Sequence, residues 1–142
     1  MELNDLYRQV IMDHYKNPRN KGLSSDSGFI SFRLKNPSCG DDTTIQAKIE
    51  DGIIKKIRFD GAGCSICCAS ASVMSEVLVG KTVKDAKQII NDFYNLIKGE
   101  EVSDEDALDE AIAFSGVSQF PARVKCATLA WKALGTILES EK

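Results

Sequence analysis

The chain has 142 residues, 43% of them hydrophobic and 27% charged, with a formal net charge of -3 and a pI near 5.2. This composition predicts one globular domain over residues 1–142 with a single core, and its lack of surplus Lys and Arg speaks against nucleic acid as a partner. No stretch of about 18 uncharged apolar residues occurs, and Met1 to Lys16 mixes charges among its apolar residues, so neither a membrane span nor a signal peptide is expected and the protein reads as cytoplasmic.

Leu3, Leu6, Tyr7, Val10, Ile11 and His14 recur at helical spacing, and Asn17-Pro18 stops the helix. Ile30, Phe32 and Leu34 then alternate with polar residues. After the loop from Asn36 to Asp42 the alternation resumes at Ile45, Ala47 and Ile49, and Asp51-Gly52 signals a two-residue hairpin into a third strand that ends at Gly61-Ala62-Gly63. Beyond Cys64 the pattern is helical. One helix runs from Ile66 to Val79 with Gly80 as its C-cap, and a second, capped by Thr82, ends at Gly99. A short acidic helix opens with a capping box at Ser103 and Asp106 and runs through Phe114, and the last helix has Pro121 in its first turn. The stretch from Lys98 to Glu110 is acidic enough to form a mobile surface segment. The expected fold class is α+β: a three-stranded antiparallel sheet with helices packed on one face.

Five cysteines, an odd number, argue for metal binding or thiol chemistry over a disulfide framework. Cys39 sits in the loop between strands one and two, Cys64 where strand three meets a helix, and Cys126 early in the last helix. A helix N-terminus favours the thiolate, which binds metal and attacks sulfur, so Cys64 and Cys126 stand to benefit. Gly40, Gly61 and Gly63 free the backbone beside the cysteines and keep bulk away from the sulfurs. A tetrahedral metal site needs a fourth donor. Asp41, two residues after Cys39, either supplies it or caps the turn. His14, the only histidine, reads as a hydrogen-bonded helix residue outside the cysteine loops. Trp131 and the Val73-Met74 pair read as core. Cys67 and Cys68 read as small buried residues, with a Cys64-Cys67 redox or metal pair as the alternative.

The strings NPSCGD (Asn36 to Asp41), GAGCSICCASASVMSE (Gly61 to Glu76) and FPARVKCATLAWKAL (Phe120 to Leu134) resemble the three signature stretches of the IscU/SufU (NifU N-terminal-like) family, and MDHYKNPRNKG (Met12 to Gly22) resembles its SufU branch. The resemblance covers nearly the whole chain and implies the family's SufE/NifU-like α+β fold. It places metal ligands at Cys39, Asp41, Cys64 and Cys126. Lys125 stands where the IscU branch has a histidine, and an insertion within Asn91 to Ser115 lengthens the stretch between the second and third cysteines. Both features match SufU.

That branch implies a zinc-dependent sulfur acceptor for iron-sulfur cluster assembly. It would take persulfide sulfur from a SufS-like cysteine desulfurase and pass it to a downstream iron-sulfur scaffold complex. Cys39 is the expected acceptor, and Arg123 is the motif cation beside the site, with Lys125 nearby. Two other readings stand: a scaffold that assembles a [2Fe-2S] cluster or binds iron on the same thiolates, and a structural zinc module that only recruits partners.

Overall fold

The structure, a computed structural model, describes residues 3–37 and 39–140, the side chains of Leu3 and Asn4 excepted. Helix α1 (Leu3–Lys16) leads into strands β1 (Ile30–Asn36), β2 (Asp41–Glu50) and β3 (Ile53–Ala62). They form one antiparallel sheet in the order β1-β2-β3. Asp51 and Gly52 both adopt positive φ, 54° and 73°, the backbone of a hairpin turn whose twist matches that of the strands it joins. Opposite residues Ile30 and Ala47, Phe32 and Ile45, and Leu34 and Thr43 set the register, and β3 adds Ile57 beside Ala47 and Phe59 beside Ile45. One face is therefore apolar, and the helices pack on it. On the opposite face the Gln46 side chain is bound by the Ser24 backbone, and Asn20 to Gly22 pairs with the outer edge of β3 at Phe59.

Helix α2 (Ser65–Leu78) is buried along most of its length, so its polar side chains need internal partners. Ser70 Oγ donates to the Ala127 carbonyl at 2.6 Å and accepts from Trp131 Nε1 at 2.9 Å. Trp131 in turn stacks on Phe93, with ring centroids 3.9 Å apart, which locks α5 (Pro121–Glu139) to α3 (Val83–Lys98). As expected, Thr82 caps α3 by accepting from the Asp85 N-H, and Gly99 ends it in a left-handed conformation.

Five expectations change. Leu6 is exposed, so the buried stripe of α1 is narrower than the spacing suggests. Gly80 has positive φ, yet its N-H donates to Ile54 in β3 and not back to the helix. The short helix α4 (Glu105–Leu108) is capped by Asp104, because the Ser103 hydroxyl is taken by Asp92. At Asp109, with φ 49° and ψ -128°, the chain breaks from α-helix into a 3-10 segment, Asp109–Gln119. Far from being a wholly solvated segment, Lys98 to Glu110 contains the fully buried Leu108.

Candidate metal and thiol site

The β1-β2 hairpin carries the first sulfur. The Asn36 carbonyl accepts from the N-H groups of Cys39 at 3.2 Å and Gly40 at 2.9 Å, and Gly40 takes φ 73°, a conformation open to glycine at little cost. This turn presents Cys39 half-buried and swings Asp41 inward, where it is 1% exposed. Cys64 is the N-cap of α2, and its N-H donates to Asp41 Oδ1 at 3.0 Å. Both flanking glycines are required by space. A Cβ at Gly61 would lie 2.0 Å from the Asp42 carbonyl oxygen, and one at Gly63 would lie 2.7 Å from Asp41 Oδ1. The bulk excluded at Gly63 is therefore kept from the carboxylate rather than from a sulfur.

Helix α5 supplies the remaining thiol. Cys126 is fully buried in its second turn, too deep to use the positive helix end, and burial pushes its pKa up, reinforced by contacts with Asp41, Cys39 and Cys64. The thiols of Cys39 and Cys126 both approach the Ala122 carbonyl, at 3.7 Å and 3.9 Å. Donor atoms of Cys39, Asp41 and Cys126 all lie within 4.8 Å of one another. Cys64 is outside that trio but touches the Cys126 thiol.

Two thiols, with Cys64 against the second, thus stand beside a buried carboxylate that, among the described residues, makes no ion pair. Burying such a charge is costly unless it is paired or coordinates a metal. The donor set suits zinc, which takes thiolates and carboxylates in tetrahedral array and would hold the thiolates deprotonated. Arg123 is exposed; its hydrogen-bond contact with Cys126, with Cys64 and Cys39 nearby, raises its pKa. Lys125 is exposed.

Cys67 is 3% exposed and packs with Cys126 and Leu129; burial is the main reason its thiol pKa is pushed up. Cys68 is half-buried and points its thiol at the Gly63 carbonyl, 3.7 Å away. Sequence reasoning missed two features. One is the amide of Asn36, which reaches both Asp41 and Cys126; its place at the head of the Cys39 loop was the only signal. The other is a groove of about 420 Å³ beside the site, lined by Ile11, Ile66, Val117, Phe120, Arg8 and Arg123, whose residues come from distant parts of the chain.

A three-stranded antiparallel sheet with helices on one face and a thiol-carboxylate cluster at its end defines a small α+β domain with a candidate metal site. The NifU-like N terminal domain family matches residues 6–128, and the chain belongs to it. It is 48% identical over 132 residues, 93% of this chain and 88% of its relative, to the zinc-dependent sulfurtransferase SufU of Bacillus subtilis. It is 38% identical to the iron-sulfur cluster assembly scaffold protein IscU of Streptococcus pyogenes, over 94% of this chain and 82% of that one. A solved structure from Fervidobacterium Islandicum, described as an iron-sulfur cluster assembly scaffold for the SUF system, superposes with a TM-score of 0.83 at 34% identity, covering 96% of this chain and 99% of that one.

Proposed function

We propose that this chain is a zinc-dependent sulfur acceptor of iron-sulfur cluster assembly, with Cys39, Asp41, Cys64 and Cys126 as its metal ligands and Cys39 as the acceptor. The observation that carries this reading is the convergence of Cys39, Asp41 and Cys126 with Cys64 against them. The zinc named for the Bacillus subtilis relative fits the same donors. Zinc, when bound, supplies a charge that keeps thiolates deprotonated without redox chemistry of its own.

The Cys39 thiolate attacks the outer sulfur of a persulfide on the active-site cysteine of a desulfurase. A new S-S bond forms on Cys39 as the donor's S-S bond breaks, and the donor leaves as a thiolate. Cys39 suits this step because it rides on a hairpin loop and is half-buried, whereas Cys126 is wholly buried in a helix. Arg123, exposed beside the sulfurs, draws the anionic donor in by its charge. Among the described residues no helix is long and apolar enough to cross a membrane.

Incubation with a cysteine desulfurase and cysteine, followed by alkylation and peptide mass spectrometry, is expected to place the extra sulfur on Cys39. Finding it mainly on Cys126 or Cys67 overturns the assignment. The second reading, a scaffold for a [2Fe-2S] cluster, draws on the IscU relative and the same thiols. Protein purified without added iron separates the two: colourless zinc protein supports transfer, and brown protein with visible absorption supports scaffolding.

A further inference from the structure

We infer that Asn36 is a positioning residue of the metal site: its side-chain amide holds Asp41 and Cys126 in ligating position and leaves Cys39 as the ligand that moves. Asn36 ends β1 directly opposite Asp41 in the register and is 5% exposed. Its Nδ2 donates to Asp41 Oδ2 at 3.4 Å and to the Cys126 sulfur, ninety positions away in sequence, at 3.8 Å. A carboxylate can only accept hydrogen bonds, so the NH2 end of the amide must face it, and both amide protons then point at candidate ligands.

With Cys64 N-H on Oδ1 and Asn36 on Oδ2, the protein holds both oxygens of Asp41. The same amide reaches the Cys126 sulfur, so it ties that sulfur's place to the carboxylate's. Among the described residues Cys39 has no hydrogen bond from an N-H group to its sulfur. Its loop is closed through the Asn36 backbone carbonyl, and its thiol leans on the Ala122 carbonyl and Cys126. One residue therefore anchors two ligands by its side chain while hinging the third by its backbone. Partners that orient metal ligands in this way typically change metal affinity about 10- to 100-fold when removed.

The inference rests on the zinc reading above, and its test separates the two. Asn36→Asp and Asn36→Ala both remove the N-H donors and keep the backbone carbonyl. Zinc release to a chromophoric chelator is expected to be about tenfold faster in each variant. In the cobalt-substituted protein, the thiolate-to-cobalt charge-transfer band should move to longer wavelength, because a thiolate without its N-H donor is easier to oxidise. The melting temperature of the metal-free protein should stay near wild type. Wild-type release rates and cobalt bands in both variants overturn the inference, as does a loss of metal-free stability large enough to account for the faster release. Asp41→Ala is the control. If it releases metal while both Asn36 variants retain it, only the role of Asn36 falls; if it retains metal, the ligand set falls and this inference with it.

Discussion

Two clusters in this molecule bring together side chains able to hold a metal ion: Cys39, Asp41 and Cys126 at the hairpin end of the sheet, and His14, Glu76 and Glu110 beneath α1. They are neutralised in opposite ways. His14 is fully buried, with Nδ1 2.8 Å from Ser72 Oγ and Nε2 3.2 Å from Glu110 Oε1, and Arg19 stands 3.7 Å from Glu76 while pairing with Asp13. Its carboxylates are half-exposed and already face a cation. At the thiol site the carboxylate is buried and faces sulfurs. A cluster with its own counter-charge is a structural tie, and a buried one without it is built to receive a cation from outside.

The sharpest break in that comparison is expected from Asp41→Ala. It should abolish zinc binding and with it the stabilisation that a tightly bound ligand gives, about 4 kcal/mol at a thousandfold excess over Kd, read by metal analysis and thermal melting. Equal zinc content in wild type and variant removes Asp41 from the site. Changing Asp42, which pairs with Arg33 on the exposed face, should leave zinc in place.

His14→Ala is the converse. It removes the His14 contacts to Ser72 and Glu110 and opens a cavity between α1 and α2, at a cost of about 2–4 kcal/mol, while zinc per chain stays at the wild-type value. Loss of zinc in a folded His14→Ala protein would show that the two clusters are coupled.

Much of this contrast was legible in the sequence, and the reasons it was or was not are local. Thr82, Asp51-Gly52 and Pro121 act through their own backbone neighbourhoods, so the elements they bound follow from short-range rules. The glycines around Cys39 and Cys64 mark unusual loops for the same reason. What stayed hidden depends on residues far apart in the chain. Ser72 and Glu110 meet His14 from 58 and 96 positions away, and Asn36 meets Cys126 across the whole domain. The break at Asp109 was equally opaque, since nothing in DEAIAFSGVSQ forbids an α-helix; in the structure Leu108, Ala111 and Phe114, three residues apart, are buried together along the 3-10 path.

A smaller effect is expected from replacing Cys67 by Ser and Cys68 by Met. Cys67 belongs to the apolar cluster behind the site, so a buried hydroxyl there should cost about 1–3 kcal/mol while zinc content and sulfur acceptance are kept. A double variant that holds zinc but no longer accepts sulfur would give these thiols a chemical role.

The smallest effect concerns pH, at a site remote from both clusters. Burial raises the Tyr94 pKa from 10.0 to about 12. Between those values the unfolded chain has released a proton that the folded one retains, so this contribution to stability is intact below pH 10 and is lost as pH rises toward 12. Denaturation curves should show Tyr94→Phe losing less stability than wild type across that interval. Equal alkaline loss in both proteins would show that Tyr94 ionises without penalty.

The Gly61-Ala62-Gly63 stretch at the end of β3 has a bearing on how this chain tolerates change. To a motif scanner two glycines flanking one residue suggest a cradle for a phosphate, yet here they form a mould around one carboxylate and one strand carbonyl. Saturation mutagenesis selected for metal retention should therefore return glycine at 61 and 63 and a broad spectrum at the exposed Ala62 between them. That alternation would map the fit of Asp41 into its seat by genetics alone.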